Sequence, residues 1–244
     1  MAGKIKRWEI VREDEHIIVI NKPAPYLSIP DRYDNGIPNV KSILQAARPE
    51  IYVNHRLDKE TSGLMIFTKT KEAHKNLSDQ FENRKLTKIY KAIVINTPSE
   101  PVGLIELPMS QSDNPRKGMV LNPKGKAAFT KYRILESFTD FTYIDVKLLT
   151  GRMHQIRLHM SSINCPIVCD KMYGDGEPML LSNLKRKYRR SGEVERPLLN
   201  RTALHASELE FNHPHTGEQV KLTVDIPKDM KAVLYQLRKH QAIA

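Results

Sequence analysis

The sequence predicts an α+β fold in which a mixed, largely antiparallel sheet is flanked by helices. Segments with the composition of strands outnumber segments with helical periodicity, and the two kinds do not alternate strictly along the chain. Strict alternation is typical of parallel sheets, because each parallel strand needs a crossover connection. With 244 residues, of which 40% are hydrophobic, the chain is long enough to bury a core. We expect one domain over residues 1–244, with a basic insertion at about residues 179–201.

Nine segments are rich in the β-branched and aromatic residues that favour strands. In residues 141–149, the apolar Ile144, Val146 and Leu148 alternate with polar neighbours, as in a strand with one buried face. The predicted strands are residues 8–12, 16–21, 51–57, 64–69, 86–95, 127–136, 141–149, 204–211 and 219–225.

Four segments carry helical signals. Thr70 can cap a helix on which Ala73, Leu77 and Phe81 recur at intervals of four residues. The other predicted helices are residues 39–47, 152–163 and 228–240.

The charge of the chain indicates a polyanionic partner. Lys and Arg number 39 against 28 Asp and Glu, which gives a net charge of +11 with His neutral. Such a surplus is typical of nucleic-acid binders, although composition alone also fits a solvated basic surface. The basic residues are dense in the insertion, where we expect Lys185, Arg186 and Lys187 to contact RNA.

Several classes of protein are disfavoured by what the sequence lacks. No apolar run approaches the roughly 18 to 20 residues that a membrane helix needs, and the N-terminus lacks the apolar stretch of a secretory signal. The two cysteines, Cys165 and Cys169, are too few for a disulfide framework. We therefore expect a cytoplasmic protein with no membrane partner.

Motifs for common catalytic and cofactor sites are also missing, including those of a nucleophile elbow, a phosphate-binding loop, a dinucleotide site and an HExxH metal site. Cys165 and Cys169 lie near His154 and His159, so a metal site is conceivable. Two buried cysteines beside a helix are the better interpretation. We expect no metal and no cofactor.

Three segments concentrate the residue types that carry chemistry. The first, HRLDKETSG at residues 55–63, presents Asp58 in a loop between two apolar strands. The same pattern also fits a polar turn, with Thr61 bonding local backbone and Gly63 supplying a positive φ. The second, TGRMHQIRLH at residues 150–159, packs cations and histidines around the start of a helix, where a phosphate can bind. The third is KIYKA at residues 88–92.

Together these segments resemble the RluA-type family of pseudouridine synthases. Asp58 lies in a match to that family's HRLDxxTSG, Arg157 in a match to GRxHQIRxH, and Tyr90 in a match to KxYxA. DKMYG at residues 170–174 resembles the family's DxxYG. LHA at residues 204–206, followed by HPHTGE at residues 213–218, resembles its C-terminal motif.

The resemblance implies an enzyme with a central RNA-binding cleft that converts uridine to pseudouridine in ribosomal or transfer RNA without a cofactor. It implies that Asp58 is the essential carboxylate, acting either as a nucleophile or by removing a sugar proton. Arg157 corresponds to its salt-bridge partner, and Tyr90 to the residue that stacks on the base. Four further residues are expected to bind RNA or to orient the loop and helix, namely His55, Thr61, Arg152 and His154, while Arg56 is expected to hold the vacated stack or a phosphate.

Many relatives carry an S4-type RNA-binding domain, which we expect to be missing here, because only about one strand of chain precedes Glu13. We expect a monomer. Two rival functions remain open: a non-catalytic RNA-binding or chaperone protein on the same scaffold, and a hydrolase that uses a metal at Cys165 and Cys169 or a nucleophilic Ser62.

Overall fold

A computed structural model describes residues 8–34, 36–114, 117–185, 188 and 194–243. The chain divides into two compact units. The first unit contains the residues up to Thr87 together with Ala206–Val224, and the second contains Lys88–His205 together with Asp225–Ala244.

The first unit is an antiparallel sheet backed by a helix. Its strands are β1 (Glu9–Glu13), β2 (Ile17–Lys22), β3 (Tyr52–Val53), β4 (Ser62–Thr68), β11 (Leu204–Asn212, which starts in the second unit) and β12 (Gln219–Thr223). They lie in the order β1-β2-β4-β11-β12, and β3 also pairs with β4. The helices of this unit are α1 (Val40–Ala46) and α2 (Lys71–Glu82).

The core of the first unit forms where α2 covers the sheet. Thr70 caps the helix by accepting the N–H of Ala73 at 3.2 Å, as its sequence predicts. Leu77 of α2 packs with Ile66 of β4 and Phe211 of β11 in one cluster of buried side chains. The spacing of apolar residues therefore places one face of α2 against the sheet.

The second unit contains a second run of antiparallel strands. β5 (Thr87–Ile95) pairs with β10 (Phe141–Leu148), β10 with β9 (Phe129–Ser137), and β9 with β6 (Val102–Glu106). A separate hairpin joins β7 (Met109–Gln111) to β8 (Met119–Leu121). The helices are α3 (Gln155–Ser162), α4 (Leu181–Leu184) and α5 (Lys228–His240).

The ends of the basic insertion that the structure describes are held together by backbone hydrogen bonds. Met179 and Leu199 pair through backbone hydrogen bonds, the N–H of Met179 donating to the carbonyl of Leu199 at 2.8 Å. Arg201, just beyond this closure, makes a two-pronged ion pair with Asp229 at the start of α5. Arg186 and Lys187, which the sequence predicts to bind RNA, lie outside the described residues.

The α+β fold with a largely antiparallel sheet is confirmed, but some predicted bounds were wrong. The helix predicted over residues 152–163 begins at Gln155, because residues 151–154 form a turn in which His154 takes φ 55°. The strand predicted over residues 51–57 is only Tyr52–Val53, because the chain leaves the sheet to form the Asp58 loop. No helix in the described part of the chain is long and apolar enough to cross a membrane.

Lys22 at the end of β2 is fully buried, which is unusual for a lysine. Its ammonium donates to the carbonyl oxygens of Tyr26 (2.8 Å), Pro23 (3.3 Å) and Lys59 (3.3 Å). These carbonyls belong to two loops, so the single cation ties the segment after β2 to the segment after Asp58.

Substitution of Lys22 by Met is expected to lower the free energy of unfolding by about 3 kcal/mol, because three carbonyl oxygens would lose a charged donor that is itself fully buried. Urea denaturation measures the change. The matched control is Lys75→Met on the exposed face of α2, which is expected to change stability by less than about 0.5 kcal/mol. Equal stability of the two variants would contradict this role of Lys22.

Candidate active site

The loop that carries Asp58 is anchored on both sides of the carboxylate. The Ser28 hydroxyl donates to the carbonyl of Leu57 at 2.6 Å and accepts the N–H of Leu57 at 3.0 Å. The ammonium of Lys22 holds the carbonyl of Lys59 at 3.3 Å. The N–H of Thr61 closes a turn onto the carbonyl of Asp58 at 3.1 Å. The backbone around Asp58 is therefore fixed by residues of the first unit.

His55, at the start of this loop, contacts β4 and α2 of the first unit. Its Nε2 accepts the backbone N–H of Ile66 at 3.0 Å, and its ring stacks on Phe81 at a centroid distance of 5.0 Å. A neutral ring that accepts at Nε2 carries its proton on Nδ1. Thr61, also a predicted site residue, is buried, while Arg56 is exposed.

Gly63, at the exit from the loop, meets a requirement that only glycine satisfies. Its φ is +115°, and an added Cβ would lie 2.2 Å from the carbonyl oxygen of Ala206. The glycine of the HRLDKETSG segment thus allows β4 and β11 to approach closely.

In the second unit, Arg157 of α3 forms a buried two-pronged ion pair with Asp170. The Nε donates to Oδ2 at 2.6 Å and the Nη2 to Oδ1 at 2.8 Å. Asp170 is fully buried, and its Oδ1 also accepts the backbone N–H groups of Met172 (2.9 Å) and Tyr173 (3.2 Å). Burial alone would raise the pKa of Asp170, but these hydrogen bonds and the Arg157 charge lower it below its usual value. The planar guanidinium is therefore held in one orientation.

The start of α3 is fixed by Gln155 rather than by a capping residue. Its Oε1 accepts from the Thr150 hydroxyl (2.8 Å) and from the N–H of Arg152 (3.0 Å). Its Nε2 donates to Phe129 O (3.0 Å) and to the Thr130 hydroxyl oxygen (2.9 Å). This network holds the turn that carries Arg152 and His154 against β9.

His159 completes the same network from inside the core. Its Nε2 lies 3.0 Å from the carbonyl of Leu107, which can only accept, so Nε2 carries the proton. Its Nδ1 then accepts from the Thr130 hydroxyl at 2.9 Å. Burial lowers the pKa of His159, although the hydrogen bond to Leu107 opposes this shift. His159 is therefore a neutral structural residue.

Tyr90 and Lys88 point to the same face of β5, because alternate residues of a strand share a face. Tyr90 is buried in the second unit, with 6% of its surface exposed. Burial lowers the pKa of Lys88 to about 8. An added Cβ at Gly151 would lie 3.3 Å from Lys88 Nζ, so this ammonium lies beside the turn before α3.

The sequence-predicted residues thus divide between the two units. The first unit carries Asp58, His55, Arg56 and Thr61, and the second carries Tyr90, Arg157, Arg152, His154 and Lys185. The structure adds Ser28, Lys22, Asp170 and Tyr173, which hold the predicted residues in place. Of these, only Asp170 and Tyr173 belong to a recognised motif, DKMYG.

The two cysteines do not suit metal binding. Both are buried, and burial raises the pKa of Cys169 to about 11, so its thiol stays protonated. Among the described residues, no three His, Cys, Asp or Glu side chains are grouped so that they could hold a metal ion.

Comparison with known proteins gives consistent matches. Residues 16–162 match the family described as RNA pseudouridylate synthase. The ribosomal large subunit pseudouridine synthase D of Pseudomonas aeruginosa is 39% identical over 95% of this chain and 72% of its own length. The protein of the same name from Zymomonas mobilis is 36% identical over 94% of this chain and 72% of its own length. The structure of human RNA pseudouridylate synthase domain containing 4 superposes with a TM-score of 0.70 at 24% identity, covering 94% of this chain and 92% of that one.

Substitution of Asp170 by Asn is expected to destabilise the protein by roughly 3 to 5 kcal/mol, because the buried Arg157 guanidinium would lose the carboxylate that binds it with two hydrogen bonds. The double variant Arg157→Met/Asp170→Asn is expected to recover at least about 1 kcal/mol, since it removes that charge. Asn retains an acceptor for the N–H groups of Met172 and Tyr173. Urea denaturation of both variants is the measurement, and a double variant less stable than Asp170→Asn would contradict the interpretation.

Proposed function

The chain belongs to the RNA pseudouridylate synthase family, and on that premise we propose that it uses Asp58 to isomerise uridine in large-subunit ribosomal RNA. The family membership makes the protein an isomerase acting on RNA. The choice of ribosomal RNA over transfer RNA is supported by relatives named for the large ribosomal subunit. The choice of Asp58 is supported by a loop whose backbone is fixed on both sides of that residue.

The reaction exchanges one glycosidic bond for another. The bond from C1′ of ribose to N1 of uracil breaks, the base turns, and a bond from C1′ to C5 forms. The C5 proton is lost and N1 gains one, so the atoms balance without an oxidant or a co-substrate. An ionised Asp58 serves either as the nucleophile or as the base that removes a sugar proton.

Arg157 and Tyr90 take the roles that the family resemblance implies. We assign to Arg157 the stabilisation of the Asp58 carboxylate, because arginine keeps its charge in a dry site. The bidentate pair with Asp170 supports this role, since it sets the orientation of the guanidinium in advance. Tyr90 stacks on the flipped uracil and assists removal of the C5 proton.

The remaining site residues divide by exposure. Arg56 is exposed and Arg152 is partly exposed, so we assign both to contact with RNA. His55, Thr61 and His154 make contacts within their own units, and we assign them to orienting the loop and the turn. In the insertion, Lys185 is exposed and, with Arg186 and Lys187, supplies phosphate contacts.

We also assign the protein to the cytoplasm as a monomer that needs no metal or cofactor. Buried thiols fit a reducing compartment, and the chemistry needs only side chains and RNA. The alternative function is RNA binding or chaperoning without catalysis, which the net charge of +11 would also support.

Substitution of Asp58 by Asn is expected to abolish pseudouridine formation, by at least about 10⁴-fold, while RNA affinity and the unfolding temperature stay close to wild type. The measurement uses unmodified ribosomal and transfer RNA transcripts, with pseudouridine mapped by carbodiimide adducts and reverse-transcriptase stops. The control is Asp79→Asn on the exposed side of α2, which removes the same charge and should keep full activity. Turnover retained by Asp58→Asn would refute the assignment, and binding without turnover by the wild type would favour the alternative.

Substitution of Lys185, Arg186 and Lys187 together by Ala is expected to reduce the dependence of log Kd on log salt concentration by about 2 to 3, because up to three phosphate contacts disappear. Filter binding between low and moderate salt gives the slope. Alanine at Lys228, Lys231 and Lys239 of α5 removes the same charge and serves as the control. An unchanged slope would show that the insertion does not contact RNA.

A further inference from the structure

Tyr173 contacts both the β7–β8 hairpin and α3, and the chemistry proposed above gives it no role. Its hydroxyl meets the β7–β8 hairpin, its ring meets Arg157, and its backbone carbonyl accepts the Ser161 hydroxyl of α3 at 2.7 Å. We propose that Tyr173 is a positioning residue that couples the β7–β8 hairpin, acting as an RNA-binding arm, to the orientation of Arg157. This inference rests on the proposed function.

The hairpin docks on Tyr173 through a backbone hydrogen bond as well as through the packed side chains of Met109 and Met119. The N–H of Met119 donates to the Tyr173 hydroxyl at 2.8 Å. Gly118 has a φ of +65°, and an added Cβ would lie 2.7 Å from that hydroxyl and 2.5 Å from Met172 Sδ. Such close backbone approach leaves little room for the start of β8 to shift without moving Tyr173.

His154 fixes the hydroxyl from the other side. Its Nδ1 lies 3.0 Å from Tyr173 Oη, and the two rings meet edge to face at 5.6 Å. The same hydroxyl therefore contacts both β8 and the turn that leads into α3.

The ring of Tyr173 contacts Arg157, so the position of the ring affects the orientation of the guanidinium. The guanidinium carbon of Arg157 lies 5.2 Å from the ring centroid, within the range of a cation–π contact. The Tyr173 N–H also donates to Asp170, the carboxylate that grips Arg157. A displacement of Tyr173 would thus change both groups that orient the guanidinium.

The charge of the hairpin region fits the backbone of RNA. Residues 109–128 contain four cations, Arg116, Lys117, Lys124 and Lys126, against the single acid Asp113. The side chains of Lys117, Lys124 and Lys126 are exposed. Met109 exchanges two backbone hydrogen bonds with Lys126, so the turn that carries Lys124 is joined to β7. Phosphate contacts on these lysines would hold the hairpin against Tyr173 when RNA is bound.

The test combines two changes in a double-mutant cycle. Tyr173→Phe keeps the ring but removes the hydroxyl, and Lys117→Ala/Lys124→Ala removes two exposed charges of the hairpin region. The control, Lys228→Ala/Lys239→Ala, removes two exposed charges from α5. Each protein is assayed for RNA affinity and for the single-turnover rate at saturating ribosomal RNA transcript, and its unfolding temperature is recorded.

Tyr173→Phe is expected to slow the saturated rate about tenfold with little change in Kd, because a displaced catalytic group costs rate rather than affinity. The hairpin variant is expected to weaken binding about tenfold and also to slow the saturated rate. Adding Tyr173→Phe to the hairpin variant should then slow the rate no further than Tyr173→Phe alone, since both act through one contact. The α5 control should retain the wild-type rate.

Three outcomes would overturn the inference: a hairpin variant with unchanged affinity, a hairpin variant with a normal saturated rate, or rate losses that multiply in the combined protein. These outcomes are separate from failure of the proposed function. An inactive wild-type protein would refute the proposed function and this inference together, whereas an active wild type with an additive cycle would refute the coupling alone.

Discussion

The buried ion pair between Arg157 and Asp170 constrains much of the second unit. A carboxylate with no solvent exposure is costly to desolvate, and a single guanidinium does not saturate its acceptors. The structure meets this cost with two backbone N–H groups from the DKMYG turn, so the turn is folded around the charge. The position of Tyr173, the docking of the β7–β8 hairpin and the orientation of Arg157 all follow from that arrangement.

In the first unit, hydrogen bonds hold the loop that carries Asp58 in place. The anchors are the Ser28 hydroxyl and the Lys22 ammonium, which bind backbone groups on both sides of Asp58. Anchors of this kind fix the path of the chain around Asp58. Both units therefore separate the residues assigned to chemistry from the residues that set their geometry.

The sequence predicted the regular elements well, and its errors have common causes. Alternation in β10 and the four-residue spacing in α2 are local signals, so they can be read from short windows. The start of α3 was missed because it depends on Gln155 bonding to Phe129 and Thr130 on a distant strand. β7 and β8 are only three residues each, too short for a periodic signal.

The difference between local signals and contacts with distant residues also explains which site residues the sequence predicted. Asp58, Tyr90 and Arg157 stand in dense motifs that mark them, and these assignments remain proposals. Ser28 and Lys22 were missed because each binds backbone about 30 or more residues away, which no local pattern records. Tyr173 was seen only as part of a motif, since its partners Met119 and Arg157 lie on separate elements.

The register of β5 has an evolutionary consequence. Tyr90 lies opposite Val146 of β10, while the next residue, Lys91, lies opposite Asp145 and forms an ion pair with it. Inserting or deleting one residue ahead of Tyr90 would exchange the two faces and move the tyrosine to the face that Lys91 now occupies; a deletion would also carry Lys91 to the position of Tyr90. Among descendants of this sequence, selection should therefore tolerate changes of two residues in the length of this strand, because each side chain then stays on its face. Changes of one residue should be eliminated.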